Sequence, residues 1–349
     1  WCSASFAANI SNCNLTPDED IDGNKYTCTD DDTFDNTGGH NITHNNIIIS
    51  TAGTNADGVI IINSGTIEQD GNEKPAINGN SSTNLKITNN SGGTIKSDTK
   101  AININNGANV EIINVGNITS EGSYAIKSNG ESLKVINSGT ITAVSLGINL
   151  DQGGANVIIT NSGNIYGTTK KAINIVGDNA TITNDSGGLI RAGSDGSVNG
   201  DHVNAVIFDN ADDSDRNGTL ENYGTITAAA STVKVNMQNV IINNYSGATI
   251  QHTDDVANFA AIQIADDNAT ITNKGTISGT HANSHSIEID NGVTGTKIYV
   301  DGAPTFTGEI ELTNSTVAAN TTMYLGCSMT QDTTIEIHNK PNLNITNNL

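Results

Sequence analysis

Positive charge is scarce in this chain. Fifteen Lys and Arg stand against 37 Asp and Glu, giving a formal net charge of −22 over 349 residues. A surface this acidic argues against nucleic acid and anionic membranes as partners. It suits an extracellular protein, or one that uses divalent cations. Aromatic residues make up only 4 % and prolines number four. A narrow interior filled by Ile, Val, Leu and Ala leaves little room for rings. No apolar run approaches the ~20 residues of a membrane-spanning helix. The chain starts at Trp1 rather than Met, which points to a processed or trimmed form with no signal peptide in what remains.

What the chain has in quantity is one short box. Asn-x-Gly-x-Ile stands at Asn63–Ile67, Asn114–Ile118, Asn137–Ile141, Asn161–Ile165, Asn222–Ile226 and Asn273–Ile277. A longer form, Asn-x-Ser-Gly-x-x-Ile, stands at Asn89–Ile95, Asn184–Ile190 and Asn244–Ile250. Most closing isoleucines follow one another at 23 to 28 residues, with a single gap of 36 before Ile226. A near-constant period in this range marks a solenoid. It also argues for one elongated domain, where length alone would allow two globular ones.

Each period contains three strand signals. Leu133, Val135 and Asn137 share one parity, as do Val110, Ile112 and Asn114, or Val157, Ile159 and Asn161. Alternation of this kind marks a strand with one buried face. The glycine permits a tight turn, the box Ile opens a second strand, and a third follows at segments such as Ala101–Ile104 and Ala172–Ile175. Three strands and three turns per period describe an all-β fold, a parallel β-helix of about ten coils. The box asparagines, Asn63, Asn89, Asn114, Asn137, Asn161, Asn184, Asn222, Asn244 and Asn273, fall at the inward parity beside a turn. Stacked amides can donate to one neighbour and accept from the other, so these residues are expected to form a structural ladder. A row of ligand-binding amides is the alternative.

Three regions follow. Residues 1–45 do not fit the repeat and read as an N-terminal cap. The solenoid runs over 46–300, with insertions at 191–219. Residues 301–349 read as irregular C-terminal coils. The cap holds Cys2, Cys13 and Cys28, and Cys327 lies near the other end. A disulfide in the cap would place the protein outside the cytosol. About ten coils at roughly 4.8 Å would separate Cys327 from the other three by far more than the ~7 Å that a disulfide spans. A link from Cys327 to a cap cysteine of another copy is therefore one expectation, and an unlinked Cys327 on a monomer is the other. Solenoid ends are open strand edges, and a head-to-tail contact between them is heterologous and propagates into a filament.

Metal signals are local. Asp18, Asp20 and Asp22 precede Gly23 with the spacing that opens a calcium loop, but Thr29 stands where a bidentate Glu would close it. Asp212 and Asp215 lie in a second acidic stretch beside Arg216. Calcium at these aspartates is the expected cofactor, and solvated acidic loops are the alternative. His281 and His285 make at most part of a metal site. Tyr166, Tyr223 and Tyr245 lie beside box turns, where they can stack on sugars or on each other.

The motif Ile-x-Asn-Ser-Gly-x-Ile, at Ile61–Ile67, Ile159–Ile165 and in variant form at Val135–Ile141, resembles the passenger domains of bacterial autotransporters and haemagglutinin-like surface proteins. The resemblance covers residues 41–300. It implies a right-handed parallel β-helix exported to the cell surface, often for adhesion or matrix formation. Sparse basic residues and the lack of a convergent catalytic set make an enzyme not expected. The outer-membrane barrel usual in the family has no counterpart before Leu349, which implies a cleaved passenger or a secreted relative. No Gly-x-Ser-x-Gly motif occurs, so the protease subgroup is disfavoured. A polysaccharide lyase on the same scaffold would use Asp209, Asp212, Asp213, Asp215 and Arg216, yet these sit in one stretch rather than on successive coils. An ice-binding face is suggested by Thr181-Ile182-Thr183 and Thr270-Ile271-Thr272, but other coils break the threonine array.

Overall fold

The computed structural model describes residues 14–17, 24–44, 46–51, 56–71, 73–151, 154–193, 203–209, 216–253, 259–280, 284–326, 337 and 344–347. The chain is a parallel β-solenoid of three sheets and about 11 coils, with three strands per coil. The sheets hold 13, 11 and 13 strands. One short helix, Ser315–Asn320, occurs among the described residues. No helix there is long and apolar enough to cross a membrane.

Two compact units divide the chain, Trp1–Asn149 and Leu150–Leu349. In the first, the coil Lys86–Asn89, Thr94–Ser97 and Lys100–Ile104 lies beside Glu111–Asn114, Asn117–Ser120 and Tyr124–Ser128. Register is in phase, with Ile87 beside Ile112, Ile95 beside Ile118 and Ile102 beside Ile126. Each of these side chains is fully buried. A one-residue slip would turn a whole strand's apolar set to solvent, so the alternating pattern enforces this register. The second unit repeats the scheme. There Leu189–Ala192 pairs with Thr225–Ala228 in unbroken register. The long gap before Ile226 is therefore absorbed between strands, around Val206–Asp209.

The repeat starts earlier than the expected boundary at residue 46. Thr33–Asn36 and Asn41–His44 pair in parallel with Ile60–Asn63 and Thr66–Gln69. The signal was present: Asn36-Thr37-Gly38-Gly39-His40-Asn41-Ile42 keeps the spacing of the long box, with Gly38 where Ser usually stands. Gly39 has φ 72° and Gly92, its counterpart in the next long box, φ 81°. At the other end, Thr322–Leu325 and Asn344–Asn347 continue in parallel, past the expected end of regular coils at residue 300.

Interior rings are few, as the composition requires. Phe34 and Phe208 are the two largest fully buried side chains among the described residues. A methyl group on Gly218 would lie 2.6 Å from the Phe208 ring, so the glycine makes the space that the ring fills. The box glycine has a similar cause. A methyl on Gly139 would collide with the Gly116 carbonyl oxygen of the preceding coil. It is close coil stacking, rather than a positive φ, that requires glycine there.

Candidate functional site

The box asparagines build the polar seam of the interior. In the first unit Asn36, Asn63, Asn89 and Asn114 each donate from Nδ2 to Oδ1 of the next member, ending on Asn137, all at 2.8 Å. In the second, Asn161, Asn184, Asn222 and Asn244 donate onward at 2.8–2.9 Å, ending on Asn273. The amides also bond the turn, as when Asn63 donates to the Gly65 carbonyl at 2.9 Å. These residues are at most 1 % exposed, so the row is structural and offers no ligand a surface. It stops where Val300 takes the place beside Asn273, and the Asn273 Nδ2 has no hydrogen-bond partner.

Outward side chains of the first-sheet strands in the second unit make a different kind of row. Strand register aligns Ile207, Lys234, Gln263, Glu288 and Glu311 on successive coils. Each points away from a core of Val233, Val235, Ile262, Ile264, Ile287, Ile289, Ile310 and Leu312, all buried. The row is nonetheless poorly solvated. Burial pushes the Glu288 carboxyl up to about 7, helped by the charges of Asp290 and Glu311. Asp290 is raised by burial, against an opposing hydrogen bond from Gln263 at 3.2 Å. Further along the same sheet, burial lowers the Lys171 ammonium, while Asp209 works the other way. Lys171 donates to Asn174 Oδ1 at 2.9 Å.

At the acidic end of this row three potential ligands meet. The Nδ1 of His285 lies 3.4 Å from Glu309 Oε1, with the two side chains 14 % and 22 % exposed. Glu311 completes a set whose donor atoms all fall within 4.8 Å of one another.

A second surface carries paired rings. Tyr223 stacks on Tyr245 with centroids 4.0 Å apart and planes 5° from parallel, and Tyr299 on Tyr324 at 4.4 Å and 7°. The Tyr245 hydroxyl donates to Glu221 at 2.6 Å. Tyr299 and Tyr324 help line a cavity of about 350 Å³ with Lys274 and Asp301, whose charged groups lie 3.4 Å apart. Tyr166 is placed elsewhere, beside Arg191 in the second sheet.

Several expected residues fall outside the described ones: Asp18, Asp20, Asp22, Asp212, Asp213, Asp215, Cys2, Cys13, Cys327 and His281. Cys28 is described and fully buried. The remaining members of the lyase set turn to different partners, Asp209 to Lys171 at 3.9 Å and Arg216 to Asp178 at 3.7 Å. In the first unit, cations are held in partly exposed triads on neighbouring coils, Lys86–Glu111–Lys134 at 3.0 Å each and Glu68–Lys96–Glu121 at 2.8 and 2.9 Å.

Comparison with protein families, characterised proteins and solved structures finds no match to this chain.

Proposed function

We propose that this chain is an extracellular structural or adhesive β-solenoid, of the autotransporter-passenger kind, that assembles head to tail at a cell surface or in a matrix. The observation that carries the reading is the state of the sheet ends. Asn41–His44 and Thr305–Thr307 are the terminal strands of the 11-stranded sheet, and Thr33–Asn36 and Asn344–Asn347 of one 13-stranded sheet. Among the described residues each pairs on one side only. Such edges are templates for another chain. The sheet that carries the outward acidic row ends instead on the antiparallel strand Asn14–Pro17, paired with Asn24–Thr27. The tyrosine-lined cavity supplies a place where an adhesion ligand would seat.

Calcium belongs to the same proposal, at Asp18, Asp20 and Asp22 and at Asp212 and Asp215. Close carboxylates repel, and a bound dication removes the repulsion. Chelation should therefore lower the melting temperature, and an unchanged value would remove calcium from the reading. Assembly is tested by sedimentation and electron microscopy of the purified chain under oxidising conditions, with non-reducing electrophoresis for a link through Cys327. Filaments are the expected result. A monodisperse monomer with a free Cys327 thiol would overturn the assembly.

A further inference from the structure

We propose that His285, Glu309 and Glu311 form a binding site for one divalent transition-metal ion of the zinc class. None of its residues belongs to the acidic stretches proposed above for calcium. One imidazole nitrogen with two carboxylate oxygens is a mixed borderline and hard donor set, of the kind that holds zinc. It suits zinc and its neighbours better than calcium, which prefers six or more oxygens.

The geometry supports this on three counts. First, in a tetrahedral zinc site with bonds of about 2.0–2.1 Å, neighbouring donor atoms stand roughly 3.3 Å apart. His285 Nδ1 and Glu309 Oε1 are already 3.4 Å apart. Glu311 has its donor within 4.8 Å of both, so a side-chain rotation brings it in. Second, the His285 Nδ1 is shielded from solvent and takes no hydrogen bond. In the neutral ring with its proton on Nε2, that nitrogen carries a lone pair within 4.8 Å of an oxygen of each carboxylate. Third, the ligands sit on rigid backbone. His285–Ile289 and Ile310–Leu312 are adjacent parallel strands with Glu288 beside Glu311. Ser286, itself fully buried, donates to the Glu309 carbonyl from its backbone N at 2.8 Å and its Oγ at 3.0 Å. The Glu309 backbone is fixed before any ion arrives, so little ordering is left to oppose binding. Three protein ligands leave the fourth position to water.

The competing explanation is a plain ion pair between protonated His285 and Glu309. Titration calorimetry on the chelator-treated full chain with zinc chloride alone separates the two. The expected result is one zinc site that calcium chloride at equal concentration does not displace. In His285→Ala and in Glu309→Gln, zinc affinity should fall by at least about tenfold. Circular dichroism and the melting temperature in chelator confirm that each variant is folded. If His285→Ala lost its fold, Glu311→Gln provides the same reading on a residue whose side chain is partly exposed. Cobalt(II) added in place of zinc should give visible absorption that the same variants lose. Zinc binding unchanged in the folded variants, or equal displacement by calcium, would overturn the site.

Discussion

At the scale of single residues, asparagine does two jobs in this chain, and only one is inside. The ladder amides are buried and point along the sheet. Replacing Asn114 by Leu leaves the Asn89 donor and the Asn137 acceptor facing an apolar group, which costs about 1–3 kcal/mol for the unpaired partners. Asn273 already ends its row with an unpaired Nδ2, so Asn273→Leu should cost less. Urea unfolding of both variants checks this, and equal losses would show that the chain of amides adds nothing beyond local turn bonds. The second job is conformational. Asn84, Asn109, Asn156, Asn179, Asn239 and Asn268 each precede a buried residue that opens a strand or stands just before one, with φ between 52° and 61°. Asn tolerates that left-handed region better than most residues. Ser132 fills the equivalent place with φ 57°. Ser132→Asn should therefore stabilise the chain by up to about 1 kcal/mol, read as a higher urea midpoint, whereas Ser132→Val should lower it.

At the scale of strands and coils, the outward acidic row should make stability depend on pH. The folded chain holds the Glu288 carboxyl at about 7 against an ordinary 4.5. Between those values the unfolded chain gives up a proton that the folded chain keeps, so stability falls as pH rises through the window and the loss is complete above it. Glu288→Gln removes the ionisation. Because the side chain is partly solvated, much of the shift is screened, and the expected gain is about 2–4 °C in melting temperature at pH 8. It should vanish at pH 4. Scans in chelator keep a bound dication from masking the effect, and an equal gain at both pH values would exclude ionisation as its cause. The strands themselves were legible, because period-two alternation and a recurring turn box are local signals. Asn36 was missed because Gly38 replaces the usual Ser, though the spacing to Ile42 was intact. The meeting of His285 with Glu309 and Glu311 was harder to see. Those residues lie about one coil apart along the chain, and their contact appears only once strand register is known. Sequence placed His285 with its near neighbour His281 instead, since nothing in a local reading links residues of different coils. The Tyr299–Tyr324 stack escaped for the same reason.

For the molecule as a whole, charge and edges pull against each other. Head-to-tail pairing would join copies that each carry −22, and the repulsion between them is long-ranged at low ionic strength. Raising salt from about 10 to 150 mM shortens the screening length from roughly 30 to 8 Å. Assembly should therefore grow with added sodium chloride, which is opposite to the behaviour of a contact built on complementary charge. The edge strands provide the structural handle. Thr305 and Thr307 are exposed and stand on the terminal strand Thr305–Thr307, which pairs only with Thr276–Gly279 among the described residues. Lysine on an edge strand discourages another strand from adding, chiefly because a desolvated ammonium has no partner there. Thr305→Lys with Thr307→Lys should leave the melting temperature within about 1–2 °C of the parent, since both side chains face solvent. The same pair should shift the sedimenting species to monomer at 150 mM salt. Two added positive charges per copy also weaken the general repulsion, so a purely electrostatic association would strengthen in this variant. Loss of assembly therefore assigns the contact to the strand edge, and filaments as abundant as the parent's would place the contact elsewhere on the surface.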